Sequence, residues 1–109
     1  MSVIEEVLME EYERSIRISK ALKHENSILP KGSIQKKHIN NHDYYYLMFR
    51  EDGKVKSQYI AESDVEDIAG RIKLRKENLK ALKEQEESRK KIEKALGKEF
   101  IDEHSAERI

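Results

Sequence analysis

Aromatic and basic side chains stand out in the middle of the chain. Tyrosines at every second position of a strand, with cations beside them, form a surface that stacks on nucleobases or anchors a protein partner. Ordinary strand packing is the alternative, because tyrosine favours strands and has an amphipathic ring. The candidate binding residues are Tyr44, Tyr46, Tyr59, Lys37 and Arg50.

Metal and catalytic chemistry find little support in the sequence. His38 and His42 flank a turn beside Asp43, but His42 points elsewhere and no fourth ligand is evident. The chain has no cysteine, which excludes disulfides, thiolate nucleophiles and cysteine-ligated zinc. None of the motifs G-x-S-x-G, P-loop, G-x-G-x-x-G or H-E-x-x-H occurs. We therefore expect no enzyme, no metal site and no cofactor.

The charges are numerous and balanced. The 109 residues include 22 Lys and Arg against 22 Asp and Glu, so 40% of the chain is charged and the formal net charge is zero. A dedicated nucleic-acid-binding protein carries an excess of positive charge, and this chain does not. Basic residues on the second long helix are better explained as part of a solvated, salt-bridged surface. Nucleic acid is thus the second choice of partner, behind protein.

A change of hydrophobic period from 3.6 to 2 predicts that strands hold the tyrosines. The strands run over residues 33–39, 44–50 and 55–60, with tight turns at Asn40-Asn41 and Asp52-Gly53, the latter of type I′. Two-residue turns place Tyr46 opposite Tyr59, Phe49 opposite Lys56, and Leu47 opposite both Gln58 and Ile34. The predicted core face carries Ile34, Tyr45, Leu47, Phe49 and Ile60; the other face carries Lys37, Tyr44, Tyr46, Met48, Arg50, Val55 and Tyr59.

Two amphipathic helices flank these strands. The first runs from Val3 to about Asn26, and the second follows Ser63, which together with Glu66 matches a capping box, and ends near Gly97. The inward positions of the first helix are Ile4, Leu8, Tyr12, Ser15 or Ile16, Ser19 and Leu22. Those of the second form a nearly heptad stripe of Val65, Ile68, Ile72, Arg75, Leu79, Leu82, Gln85, Arg89, Ile92 and Leu96.

These elements predict an α+β fold, in which two long antiparallel helices, as a helical hairpin or coiled coil, flank a three-stranded antiparallel meander. Residues 1–97 form a single domain, and residues 98–109 form an acidic tail or a short helix. The long helix is too long to be covered by its own meander, so Leu79, Leu82 and Ile92 are candidates for contact with a partner, including a second copy of the chain.

No membrane association is predicted. No apolar run approaches the roughly 20 residues that cross a bilayer, and the start of the chain turns acidic too early for a signal peptide. We expect a cytoplasmic protein.

Several short motifs resemble a group of small uncharacterised bacterial proteins. They are Leu29-Pro30-Lys31-Gly32-Ser33-Ile34, Tyr44-Tyr45-Tyr46-Leu47, Arg50, Gly53-Lys54-Val55 and Tyr59-Ile60, followed by a long charged helix. The likeness covers roughly residues 3–96. It implies a helix, a tyrosine-rich strand pair and a closing coiled-coil helix, with Gly32, Gly53 and the tyrosines as determinants of fold and surface.

The resemblance implies no catalytic residue. It places such proteins in mobile-element or defence-associated gene neighbourhoods, sometimes beside nucleotidyltransferase-like toxins, which implies an antitoxin-like or inhibitor role. Relatives with extra cysteines in the first hairpin differ from this chain, which has none. The resulting hypothesis is a non-enzymatic protein-binding module; the alternative is a small nucleic-acid-binding regulator that uses the tyrosine and basic face of the sheet.

Overall fold

A computed structural model describes residues 1–105. It has the predicted α+β class and the predicted helix, meander, helix order. The short C-terminal helix, one of the two predicted alternatives, is present, while residues 106–109 lie outside the described part. The elements are α1 (Val3–Ser27), β1 (Ser33–Ile39), β2 (His42–Glu51), β3 (Lys54–Ile60), a 3₁₀ helix (Glu62–Asp64), α2 (Val65–Leu96) and α3 (Lys98–His104).

The described chain divides into two compact units. Unit 1 combines Met1–Glu25 with the described residues from Asn78 onward, and unit 2 is Asn26–Glu77. Both long helices therefore contribute to both units, whereas the sheet belongs to unit 2 alone.

The sheet is an antiparallel meander in the order β1, β2, β3. Its register is the predicted one: Leu47 lies opposite Ile34 and Gln58, and Tyr46 lies opposite Tyr59. The turns explain this agreement. Asn40 and Asn41 have φ values of 50° and 60°, and Asp52 and Gly53 have values of 52° and 75°. Positive φ at both central residues is the type I′ geometry, whose twist matches that of the paired strands and fixes which residues face each other.

The core of unit 2 lies on one face of the sheet, as predicted. Leu47 and Ile60 are buried there with Ile72 from the second turn of α2. Partly buried apolar side chains surround them: Ile34, Tyr45, Phe49, Val65 and Ile68. All five residues of the predicted core face are in this cluster, so a one-residue slip of register would move the whole set to solvent.

Gly32 shapes the entry into the sheet. Its φ of 109° lies in the left-handed region, and a Cβ built on it would overlap the carbonyl oxygen of Met48. Only glycine permits both this conformation and this close approach of two backbone segments.

Unit 1 buries serine and asparagine as well as apolar residues. Its buried side chains are Met9, Ile16, Ile101, Ser15, Ser19 and Asn78. The predicted inward positions from Leu8 to Leu22 on α1 are buried or half-buried, but Ile4 is 73% exposed. On α2, Leu79 is 46% exposed and its neighbour Asn78 is buried instead, so the prediction that Leu79 belongs to the inward stripe is wrong.

α1 begins at Val3, as predicted, but the capping of the helices differs from prediction. Ser63 lies inside the 3₁₀ helix, so it does not cap α2 as expected. A capping box forms instead at α1, where the Glu5 amide donates to Ser2 Oγ at 3.1 Å and the Ser2 amide donates to Glu5 Oε1 at 2.8 Å. These bonds hold the pKa of Glu5 below its ordinary value.

Over the part of the chain that the structure describes, no helix is long and apolar enough to cross a membrane.

Candidate protein-binding surface

The sheet face opposite the core of unit 2 brings together the tyrosines and cations singled out from the sequence. We call it the outer face. Because side chains alternate along a strand, the observed register assigns residues to it without ambiguity. Its large side chains are Lys37, Ile39, His42, Tyr44, Tyr46, Met48, Arg50, Val55 and Tyr59.

The tyrosines and cations on the outer face contact one another. Tyr46 and Tyr59 pair across β2 and β3 with ring centroids 6.0 Å apart and planes at 80°, an edge-on arrangement. The Lys37 ammonium lies 5.0 Å from the centroid of the Tyr46 ring, within cation–π range. His42 packs edge-on against Tyr44 at 4.7 Å. These contacts orient the rings and bring the charge of Lys37 toward the middle of the face.

Much of this apolar surface is open to solvent. Tyr59 is 56% exposed, Val55 61% and Ile39 46%. Tyr44 and Tyr46 are half-buried. A small sheet has little reason to expose this much aromatic and aliphatic area on the side away from its core, and such patches commonly mark contact sites.

The outer face has a single sign of charge. The three described strands contain two carboxylates, Asp43 and Glu51, and the register places both on the core side of the sheet. Asp43 accepts a hydrogen bond from His38 Nδ1 at 2.7 Å, and this bond holds the pKa of that carboxyl below its ordinary value. Glu51 lies 3.5 Å from the Lys56 ammonium. The permanent cations of the outer face, Lys37 and Arg50, therefore have no carboxylate of the described strands on their own side of the sheet.

The two histidines of the first turn are on opposite faces. His38 stands beside Asp43 on the core side and His42 stands beside Tyr44 on the outer side. Among the described residues, no group of three or more His, Cys, Asp or Glu could hold a metal ion. The chemistry available on the outer face is therefore ring contact and positive charge.

The chain matches one known family of proteins over part of its length. Residues 8–70, more than half of the sequence, match the family described as Domain of unknown function (DUF6788). The chain belongs to this family. No curated protein and no solved structure matches the chain significantly.

The family match separates the two candidate surfaces. It contains the whole meander and hence the whole outer face, but it ends at residue 70, before Leu79, Leu82 and Ile92. In unit 1 the structure places Leu79 in an exposed position and leaves Leu82 and Ile92 half-buried. Ile92 lines a cavity of about 220 Å³ with Ser15, and Leu82 lines another of about 380 Å³.

Sequence reasoning missed a polar network between α1 and α2 in unit 1. Arg89 Nη1 donates to the Ser15 carbonyl at 3.2 Å, to Ser15 Oγ at 3.0 Å and to Ser19 Oγ at 2.7 Å. Ser15 Oγ donates to Gln85 Oε1 at 2.8 Å. The four-residue spacing of Ser15 with Ser19, and of Gln85 with Arg89, is the signal that marks facing polar rows.

The same contact region continues on either side of this network. Tyr12 donates its hydroxyl proton to Glu93 Oε1 at 3.2 Å, and Asn78 Nδ2 donates to Glu25 Oε1 at 2.6 Å. Burial, followed by the bond to the Glu93 carboxylate, raises the pKa of the Tyr12 phenol. These hydrogen bonds all join α1 to α2 within one chain. Leu79, next to Asn78, remains exposed.

Proposed function

We propose that the chain is a non-enzymatic protein-binding module whose partner docks on the outer face of the sheet. One observation carries the proposal: an exposed tyrosine and aliphatic surface holds Lys37 and Arg50, and the described strands place no carboxylate on the same side. Tyrosine and arginine supply much of the binding energy in protein interfaces. The partner's matching surface combines apolar side chains with Asp or Glu.

The function is binding rather than catalysis, because of what the outer face gathers. Phenol rings, two permanent cations and aliphatic side chains act through contact area and charge. An antitoxin-like or inhibitor role in a bacterial or phage mobile element is a narrower form of the proposal, and the resemblance described above supports it. A cytoplasmic location stays a prediction from sequence.

We infer that α1 and α2 form an antiparallel helical hairpin that supports the module. Within unit 1, residues further along α1 bond to residues earlier on α2. Tyr12 bonds to Glu93, Ser19 to Arg89 and Glu25 to Asn78. Two adjacent helices whose contacts run in opposite sequence order are antiparallel. On this view Leu82 and Ile92 belong to the seam inside one chain, and Leu79 is an additional contact residue for a partner.

A nucleic-acid-binding regulator is the second candidate. The cation–π contact of Lys37 with Tyr46 supports it, since a ring beside a cation can stack a base and neutralise a phosphate. The same carboxylate-free face would serve both functions, so the experiment has to separate them.

The proposal is tested by capturing proteins from the native cell lysate, with and without nuclease. The bait is wild type or one of four matched variants, two on the outer face of the sheet and two on the core side. Lys37→Glu and Tyr59→Ala alter the outer face. Lys36→Glu and Gln58→Ala introduce the same residues at the neighbouring exposed positions, which face the core side. We expect wild type and the two control variants to retain a protein that survives nuclease, and the two outer-face variants to lose it.

Two results would contradict the proposal. If all four variants capture the same proteins, the outer face is not the binding site. If capture disappears with nuclease, and binding to an oligonucleotide falls steeply with salt and with Lys37→Glu, the nucleic-acid function replaces it.

A further inference from the structure

The first three turns of α1 expose a surface that is the chemical counterpart of the outer face. Val3, Glu6, Val7 and Glu10 have the spacing i, i+3, i+4 and i+7, so they share one side of the helix. Val3 is 75% and Val7 52% exposed, and both glutamates are exposed. We call these four residues the acidic stripe.

The acidic stripe also has a neighbour of the same character. Ile4, which the sequence pattern assigns to the interior, is 73% exposed beside it. The first basic residue of α1 is Arg14, and it pairs with Glu11 at 3.5 Å. The stripe thus combines exposed aliphatic side chains with negative charge.

We propose that the partner seated on the outer face is the acidic stripe of a second copy of this chain. The inference rests on the proposed function, because it names the occupant of the same face. It is carried by complementarity: one exposed surface has aromatic and aliphatic side chains with Lys37 and Arg50, and the other has aliphatic side chains with Glu6 and Glu10. Interfaces pair opposite potentials in this way, which selects the partner and speeds encounter.

The charges of the two surfaces are close enough in spacing for their long side chains to meet. Glu6 and Glu10 are one helical turn apart, about 6 Å along the axis. The Lys37 ammonium leans over the Tyr46 ring, and Arg50 lies four residues further along β2, about 13 Å away by backbone. The long arginine and glutamate side chains span this difference of about 7 Å, and Val7, which lies between Glu6 and Glu10, faces the tyrosine rings.

The contact joins two different surfaces and therefore sets the type of assembly. If each chain seats its stripe on the other's outer face, the two contacts close a two-fold dimer. If the geometry does not close, the same contact adds chains end to end. Both arrangements are concentration-dependent and are weakened by salt.

Sedimentation velocity on the full chain, up to about 1 mM, tests the proposal through charge reversal. The outer-face variant carries Lys37→Glu and Arg50→Glu, and the stripe variant carries Glu6→Lys and Glu10→Lys. We expect wild type to self-associate and each variant to associate at least about ten-fold more weakly, because like charges then meet across the contact.

Mixing the two variants is the decisive measurement. In the mixture, every stripe again meets a face of opposite charge, so the mixed complex is expected to form as strongly as the wild-type one to within about three-fold. A chain with all four substitutions is expected to associate with itself. The matched control, Lys36→Glu with Lys54→Glu on the core side of the sheet, is expected to behave as wild type, and circular dichroism establishes that each variant is folded.

The outcomes separate this inference from the function on which it rests. A wild-type chain that stays monomeric throughout, or folded variants whose mixture does not associate, overturns the second copy as the occupant. If the capture experiment still yields an outer-face-dependent protein, the binding function stands and only the occupant changes. If neither experiment depends on the outer face, both proposals fail.

Discussion

The polar network of unit 1 permits a quantitative prediction about Arg89. We expect Arg89→Leu to destabilise the fold, and the further change Ser19→Ala to restore part of the loss. The two serines are 5% and 4% exposed, so their hydroxyl groups depend on protein partners rather than on water.

The magnitude follows from the bonds that are lost. Arg89 Nη1 donates to both serine hydroxyls and to the Ser15 carbonyl. Hydrogen bonds from a charged group contribute about 1.5–3 kcal/mol, and a buried polar atom left without a partner costs about 1–3 kcal/mol. Leucine regains part of this through apolar contact, so the expected net loss is about 2–3 kcal/mol. Ser15 Oγ keeps its bond to Gln85 Oε1, whereas Ser19 Oγ loses the donor that Arg89 supplies. Replacing Ser19 removes that unpaired hydroxyl, which is why the double variant recovers part of the loss.

Urea unfolding followed by circular dichroism is the assay. With a slope of about 2 kcal/mol per molar, Arg89→Leu is expected to lower the midpoint by about 1 M. Lys90→Leu, at the adjacent exposed position, is the control. The salt bridge of Lys90 to Glu86 is 3.8 Å long and exposed to solvent, so this change should alter stability by less than about 0.5 kcal/mol. The reasoning is refuted if Arg89→Leu costs no more than this control, or if the double variant with Ser19→Ala is no more stable than the single one.

Three further predictions concern backbone and pH. Gly32→Ala is expected to cost about 3 kcal/mol or more, because its Cβ would meet the Met48 carbonyl at positive φ, and an unchanged urea midpoint would contradict this. Gly70→Ala, in open space within α2, is expected to stabilise by about 0.5–1 kcal/mol in the same measurement, and a loss would show that the site is more crowded than described. The pKa of Tyr12 is raised in the folded chain, so its contribution to stability is full below pH 10, the ordinary pKa, and is lost as the pH rises through the pKa of the folded state. Above pH 10, Tyr12→Phe should therefore lose less stability than wild type. Parallel profiles of stability against pH would refute this prediction.

The sheet could be predicted in detail because its determinants are local. Asn40-Asn41 and Asp52-Gly53 adopt the positive φ values that two-residue turns need, and a turn of known length fixes every pair along the two strands. Once Leu47 is placed inside, alternation assigns all the other strand residues to a face. The outer face, and with it Tyr44, Tyr46 and Tyr59, follows from residue types and spacing.

The contact between α1 and α2 could not be predicted to the same degree. Which side of a long helix faces inward depends on where its neighbour lies, and a hydrophobic period does not specify that position. Asn78 is buried and Leu79 exposed, although apolar character alone favours the opposite. Hydrogen bonding to Glu25 makes the buried asparagine acceptable.

By itself, the sequence determined the order of the elements, the strand register, the core face of the sheet and the position of the outer-face tyrosines. Each of these depends on residues near in sequence, through turn geometry or through a period of two. Only the tertiary structure decided that Arg89 bonds to Ser15 and Ser19, that Asn78 rather than Leu79 is buried, and that Val3, Ile4 and Val7 are exposed. Those features arise where segments distant in sequence meet, and a side chain's burial there depends on which partner fills the space beside it.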